Sequence, residues 1–392
     1  MAGHLWLRHG EAHVGEEAAC PPVLDVLLRL RVGLGRRGAD DVEPEFVCQP
    51  IELLRCHRQN CARTMKAIRI HVDGGPEVLL YEDVPDAAPR PGEVLIGLRA
   101  ASLNHLDLWV RQGRPSVPKP RILGADGAGV VEAVGEGVGD LEPGDRVVIN
   151  PGLAHGSRIT VLGEHTDGTH AELVAVPASN VYPIPDGLGF EEAAAFPLVF
   201  LTAYRMLATK ARVEEGEWVL VWGAGGGVGT AAFSIAKALG ARTIVTSSSG
   251  WKLERLRELG ADAGLNHRDQ DIAKEVKELT GGGADVVIEH VGEATWHASL
   301  QAARPGGRVV VCGATSGPNP PASLHRVWWK ELAIYGSTMG TKEDFEGAYE
   351  LVASGRARPI VDQVFSLAET RAAHERLEAG EQLGKIVLAI PG

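Results

Sequence analysis

Gly223-Ala224-Gly225-Gly226-Gly227-Val228-Gly229 lies between the apolar run Glu217-Trp218-Val219-Leu220-Val221-Trp222 and an alanine-rich run, Thr230 to Leu239, closed by Gly240. The first run predicts a buried parallel strand and the second a helix. A tight glycine turn between them offers free backbone N–H groups and the positive end of a helix dipole, which together suit a pyrophosphate. Glycines let the backbone turn sharply, approach the phosphates and pack helix on strand. Ala224, Gly225, Gly226, Gly227, Val228 and Gly229 are therefore expected at a nicotinamide dinucleotide. Ala224, Gly226 and Gly229 fall on the three positions of the glycine pattern, in an Ala-x-Gly-x-x-Gly form.

Working outward, strand and helix patterns alternate from about residue 190. Strands are expected near 217–222, 242–247, 263–266, 285–289, 307–312 and 332–336, with helices at 228–239, 251–259, 271–280 and 294–303. Strands joined by helical crossovers predict a doubly wound parallel sheet. Upstream, from Met65, the pattern is irregular and strand-rich. Val94 to Ala100, Gly129 to Val134 and Arg146 to Ile149 read as strands, parted by turn signals such as Pro89-Arg90-Pro91-Gly92 and Pro143-Gly144-Asp145. A short helix is expected over His105 to Gln112. After Gly336, a helix at Lys342 to Ser354 and a strand at Lys385 to Ile390 break the alternation and are expected to return to the first domain.

The chain has 392 residues and a formal net charge of −12, which argues against nucleic acid or an anionic membrane as a main partner. No apolar run reaches the roughly 20 residues that span a bilayer. Cys20, Cys48, Cys56 and Cys61 lie in the first 64 residues and Cys312 in the body, without zinc-finger or disulfide-framework spacing. A cytoplasmic setting is expected. Residues 1–64 hold no lysine and little periodicity, whereas Met65 opens a clean strand pattern, so 1–64 is expected to be an extension outside the fold.

The chain from Met65 onward resembles the medium-chain dehydrogenase/reductase superfamily, especially its quinone-oxidoreductase-like branch. The resemblance rests on Asn104-His105-Leu106-Asp107-Leu108-Trp109, Leu123-Gly124-Ala125-Asp126-Gly127-Ala128-Gly129-Val130-Val131 and Pro143-Gly144-Asp145-Arg146-Val147. The glycine turn, Leu201-Thr202-Ala203-Tyr204 and Gly384-Lys385-Ile386-Val387-Leu388 complete it. It implies an α/β protein in which a GroES-like β-barrel catalytic domain (65–199 and 339–392) is split around a doubly wound Rossmann domain (200–338), with the active site in the cleft between them.

Zinc alcohol dehydrogenases of this superfamily hold their metal with cysteine, histidine and cysteine. The resemblance puts those positions at Asn104, at Ala125 (followed by Asp126), and within Phe196 to Leu201, which contains no cysteine. Zinc prefers thiolate and imidazole, so no zinc is expected. The structural zinc lobe is shortened after Asn150-Pro151-Gly152-Leu153, and His155, His165 and His170 read as surface histidines.

The second strand ends in Ser247-Ser248-Ser249 without the acid that holds an NAD ribose, and Lys252 and Arg255 follow. Hydroxyls and a cation suit a 2′-phosphate, which favours NADPH over NADH, although both cations could simply belong to the solvated face of the next helix. Val291, Gly313, Ser337 and Thr338 follow late strands, where open sheets bind ligands, and Lys385 joins them at the cofactor by resemblance.

Without a metal, a quinone or an activated C=C bond is the more tractable hydride acceptor, because its carbonyl delocalises the arriving charge. Asn104, Asp107, Asp126 and Thr202 are the candidate catalytic residues, with Asp107 also readable as ordering its helix. Trp109 reads as cleft wall or core, Cys312 as a buried filler, and Trp328-Trp329 as part of a homodimer edge or as core. The expectation is an NADPH-dependent reductase of a small-molecule quinone or enone. The alternatives are an alcohol dehydrogenase and a nucleotide-binding sensor without turnover.

Overall fold

The computed structural model describes residues 63–155 and 158–391. The expectation for the N-terminal extension falls almost wholly outside the described residues.

The six strands of the parallel sheet lie in the order Ala263–Asn266, Arg242–Ser247, Trp218–Val221, Ala284–Glu289, Ala303–Val311 and Ala333–Gly336. By chain position this is 3-2-1-4-5-6, so the direction of winding reverses between Trp218–Val221 and Ala284–Glu289. Such a switch point opens a crevice at the carboxyl ends of the strands, and the glycine turn leaves Trp218–Val221 there. Val219, Leu220, Val221, Val286, Val287 and Ile288 are fully buried. Continuous apolar runs are what a sheet covered on both faces requires.

The second sheet runs Val181–Pro183, Arg146–Ile149, Asp126–Val134, Glu93–Ser102, Lys385–Ala389 and Val361–Ser366, with Leu173–Pro177 also pairing with Glu93–Ser102. The C-terminal strands therefore pair with strands from the beginning of the fold. Ser102 lies opposite Asp126 on one side and opposite Val387 on the other. Lys385, two residues before Val387, shares its face. This register gathers Ser102, Asp126 and Lys385 from three distant parts of the chain.

The helix Pro197–Tyr204, extended by a π-helical segment Arg205–Ala211, lies between the two sheets. Phe196, Phe200 and Leu201 are buried in a cluster that includes Ala100 and Val148 from the barrel and Val219 and Val221 from the parallel sheet. Both walls of the crevice are thus packed on one continuous core, which favours a fixed separation.

Several boundaries differ from expectation. Ala303–Val311 begins four residues early, through Pro305 and Gly306, with a pairing irregularity opposite Ala284 and Val286. Gly152–His155 and Arg158–Val161 form a two-stranded antiparallel unit where a plain connection was expected. No helix of the described residues is long and apolar enough to cross a membrane.

Candidate active site

The glycine turn is closed by hydrogen bonds to the neighbouring strand. Gly223 N–H donates to Thr246 Oγ1 at 3.1 Å and Ala224 N–H to the Thr246 carbonyl at 2.9 Å. Gly223 has φ +54°, the left-handed region glycine tolerates. Gly226 caps the helix Gly227–Ala238, whose first N–H groups have no intrahelical partners and face the crevice. A β-carbon on Gly229 would stand 2.6 Å from the Gly223 carbonyl oxygen, so only glycine lets the helix approach this closely.

The C-terminal segment is bonded to this turn. Gly384 N–H donates to the Gly225 carbonyl at 3.0 Å, and Lys252 Nζ donates to the Gly380 carbonyl at 2.7 Å. Lys252 is buried alongside Gly225, and desolvation lowers its pKa. Arg255 instead makes an exposed pair with Glu258 at 2.7 Å. Ser247 ends its strand buried, its Oγ accepting the Ser249 N–H, and Ser248 beside it is half-buried.

Opposite the turn lies a buried polar cluster. Asp126, fully buried, accepts at Oδ2 from Ser102 Oγ (3.1 Å), Asn104 Nδ2 (2.9 Å) and Lys385 Nζ (2.9 Å), and at Oδ1 from Leu198 N–H (2.8 Å). Lys385 Nζ also donates to Asn104 Oδ1 at 2.5 Å. The Leu198 contact places a negative charge at the start of the helix Pro197–Tyr204, which the helix dipole favours. Asp107 accepts Asn104 N–H (2.7 Å) and Gly124 N–H (3.0 Å) and so ties its helix to the loop before Asp126. Burial pushes the Asp107 carboxyl up, with His170 opposing it.

A cleft of about 340 Å³ is lined by residues of both this cluster and the glycine turn. Of the four candidate catalytic residues, Asn104 and Thr202 line it, whereas Asp107 and Asp126 lie behind its wall and position the residues that do. Thr202 Oγ donates to the Leu198 carbonyl at 2.8 Å. Of the expected cofactor residues, Gly226, Gly227, Val228, Gly313, Thr338 and Lys385 line the cleft. Ala224 and Gly225 form the turn beneath it, while Val291 N–H is taken by Glu289 and the Ser337 hydroxyl is buried without a partner. Trp109 lines the cleft with His105 edge-on to it at 5.7 Å, and Cys312 lines it as a thiol whose pKa burial pushes up to about 12.

His170 is not at the surface. It is fully buried with both ring nitrogens unpartnered, and a β-carbon on Gly124 would collide with its ring. His165 is exposed, as expected of a loop histidine. Sequence reasoning missed Glu289, a fully buried carboxylate that accepts from Val291 N–H, Gly292 N–H, Thr295 Oγ1 and Ser299 Oγ. It fixes the turn that brings His290 into the cleft, with His290 Nε2 2.8 Å from the Trp222 carbonyl oxygen.

Comparison with known proteins agrees with this arrangement. Residues 90–186 match the alcohol dehydrogenase GroES-like domain and residues 227–354 the zinc-binding dehydrogenase family. Quinone oxidoreductase from Pseudomonas aeruginosa is 36% identical over 334 residues, covering 82% of this chain and 99% of the relative. The crystal structure of an NAD-dependent alcohol dehydrogenase superposes with a TM-score of 0.81 at 45% identity, covering 83% of this chain and 100% of that one. The 2-octenoyl-CoA carboxylase reductase CinF, solved with NADP and 2-octenoyl-CoA, superposes with a TM-score of 0.79 at 30% identity, covering 83% of this chain and 88% of that one. The chain belongs to the medium-chain dehydrogenase/reductase superfamily, in its quinone-oxidoreductase-like branch, and is a nicotinamide-dependent oxidoreductase.

Proposed function

We propose that the protein reduces a quinone or an α,β-unsaturated carbonyl with NADPH, without a catalytic zinc. The observation that carries this reading is the Lys385 ammonium, bonded to both Asn104 and Asp126. By the family resemblance, Asn104 and Ala125 fall at two positions where zinc relatives have ligands, and Leu198, Val199 and Leu201 are among the side chains at the third. A buried ammonium beside Asn104 adds like-charge repulsion against a divalent ion to an absence of thiolate and imidazole. These residues do not fit zinc.

The bound nicotinamide supplies a hydride. The remaining work falls to the chain's own residues. The helix N-terminus at Gly227 holds the pyrophosphate, and Lys385, packed against Gly227, stands beside it. Asn104 and Thr202 line the wall where an acceptor oxygen would gain negative charge, and Lys385 contributes a positive field there. Trp109, Leu106 and Met339 exclude water and present apolar surface to a ring. NADPH over NADH is supported by the serines that end the second strand and by the Lys252 ammonium beside the turn.

The quinone oxidoreductase and 2-octenoyl-CoA reductase relatives support this acceptor class. The test is steady-state oxidation of NADPH and of NADH with 1,4-benzoquinone, with an enone and, in reverse, with alcohols. Preferred NADPH turnover on the first two supports the proposal. Turnover confined to alcohols with NAD would replace it with the alcohol dehydrogenase reading.

A homodimer in the cytoplasm completes the proposal. The edge strand Ala333–Gly336 exposes Ile334 and Tyr335, and Trp328 and Trp329 beside it are 59% and 70% exposed. This rules out core packing for the two tryptophans. An unpaired apolar edge suits pairing with a second copy. Sedimentation of the wild type and of Trp329→Glu should give a dimer and a monomer, whereas a monomeric wild type would refute it.

A further inference from the structure

Glu164 is a cleft residue with no part in the reading above. It stands on a tight turn in which His165 N–H donates to the Val161 carbonyl at 2.9 Å and Gly163 N–H to the Thr166 carbonyl at 3.0 Å. Gly163, at φ +79°, packs on Gly124, immediately before Ala125 and Asp126. The turn is thereby set against the wall of the cleft, and Glu164 lines that cleft together with Val161, Leu106 and Trp109. Its side chain is 19% exposed.

Among the residues whose side chains the structure describes, no lysine or arginine is paired with Glu164. His165 Nδ1 lies 3.8 Å from Glu164 Oε2, but that nitrogen accepts the Val161 N–H at 3.1 Å. A ring nitrogen that accepts a hydrogen bond has no proton to donate, so Nδ1 gives none to Glu164. The lysine that lines the cleft, Lys385, is paired with Asp126 at 2.9 Å and not with Glu164. The rest of the lining is apolar or uncharged apart from the imidazoles of His105 and His290, and burial keeps His290 on the neutral side.

We propose that Glu164 selects the acceptor by charge. Its carboxylate favours acceptors that carry a cationic group or a hydroxyl or amine donor beside the reacting quinone or enone, and it repels acceptors with a carboxylate there. This inference rests on the reductase reading above.

The test measures kcat/KM for three 1,4-benzoquinones: unsubstituted, bearing a trimethylammonium-methyl group, and bearing a carboxymethyl group. The cation-to-anion ratio is compared between the wild type and Glu164→Gln, which cancels the intrinsic reactivity of each quinone. The expected result is a fall in that ratio of roughly tenfold or more in the variant, the scale of a single uncompensated charge in a partly buried site. NADPH affinity, read by fluorescence, reports whether the variant keeps its fold. Should it not, the wild-type ratio at low and high salt decides, and it should shrink as salt screens the charge. An unchanged ratio in a folded variant, or a wild-type ratio indifferent to salt, overturns the inference. A wild type that reduces none of the three, the uncharged quinone included, overturns the reductase reading and this inference with it.

Discussion

Replacing Asp126 by alanine should destabilise the protein by about 4 kcal/mol, within the roughly 3–5 kcal/mol seen when one partner of a buried ion pair is removed. The carboxylate is fully buried and accepts from Ser102, Asn104, Lys385 and Leu198, and the variant loses all four bonds. Most of the cost comes from what stays behind. The Lys385 ammonium, 3% exposed, would keep only Asn104 Oδ1 as an acceptor. Removing that charge as well should return much of the loss, because an apolar replacement of a whole buried pair is often nearly neutral. Urea unfolding of Asp126→Ala, Lys385→Met and the double variant forms a cycle, with an expected coupling of about 2 kcal/mol. An Asp126→Ala cost below about 1 kcal/mol, or strictly additive single variants, would refute the reasoning. Activity should fall with stability in Asp126→Ala, since the helix bearing Thr202 loses the acceptor for Leu198 N–H.

Three further outcomes follow from the same geometry. Gly229→Ala should abolish NADPH binding, because its β-carbon would meet the Gly223 carbonyl oxygen at 2.6 Å, whereas Gly250→Ala meets nothing within 4 Å and should bind normally; equilibrium fluorescence titration reads both. Ser247→Asp should weaken NADPH by roughly tenfold to a hundredfold relative to NADH, as an acid at the end of the second strand repels a 2′-phosphate; an unchanged NADPH-to-NADH ratio of kcat/KM would contradict it. Burial lowers the pKa values of His170 and His374, with Asp107 opposing the shift at His170 and with His170 and Arg111 deepening it at His374. The folded state then binds fewer protons than the unfolded one, so stability is full above the ordinary histidine value near 6.5 and falls as pH drops below it; thermal melts from pH 8 to pH 5 should show that loss, and a flat profile would refute it.

The sheet was legible because its central strands are buried on both faces. Arg242–Ser247 and Ala263–Asn266 stand where their apolar runs end, at turn residues. Ala303–Val311 began earlier than read, because Pro305 and Gly306 disfavour a strand that pairing with Ala284–Glu289 nevertheless imposes. The turn at Gly223–Gly229 was legible because its glycines are demanded locally. The cluster opposite it was not, since Lys385 meets Asn104 across 281 residues of sequence. Periodicity says nothing about a contact made by strand register. Glu289 ends a strand like any surface acid, and only the fold brings Thr295 and Ser299 to its oxygens. His170 follows a Gly and a Thr in a polar stretch, which reads as loop, yet its neighbours bury it completely.

The most direct test of the central claim is NADPH oxidation by chelator-treated protein, with 1,4-benzoquinone as acceptor and metal content measured on the same sample. Undiminished turnover in protein containing far less than one zinc per chain is the predicted result. Activity that disappears with the metal and returns with added zinc would contradict it.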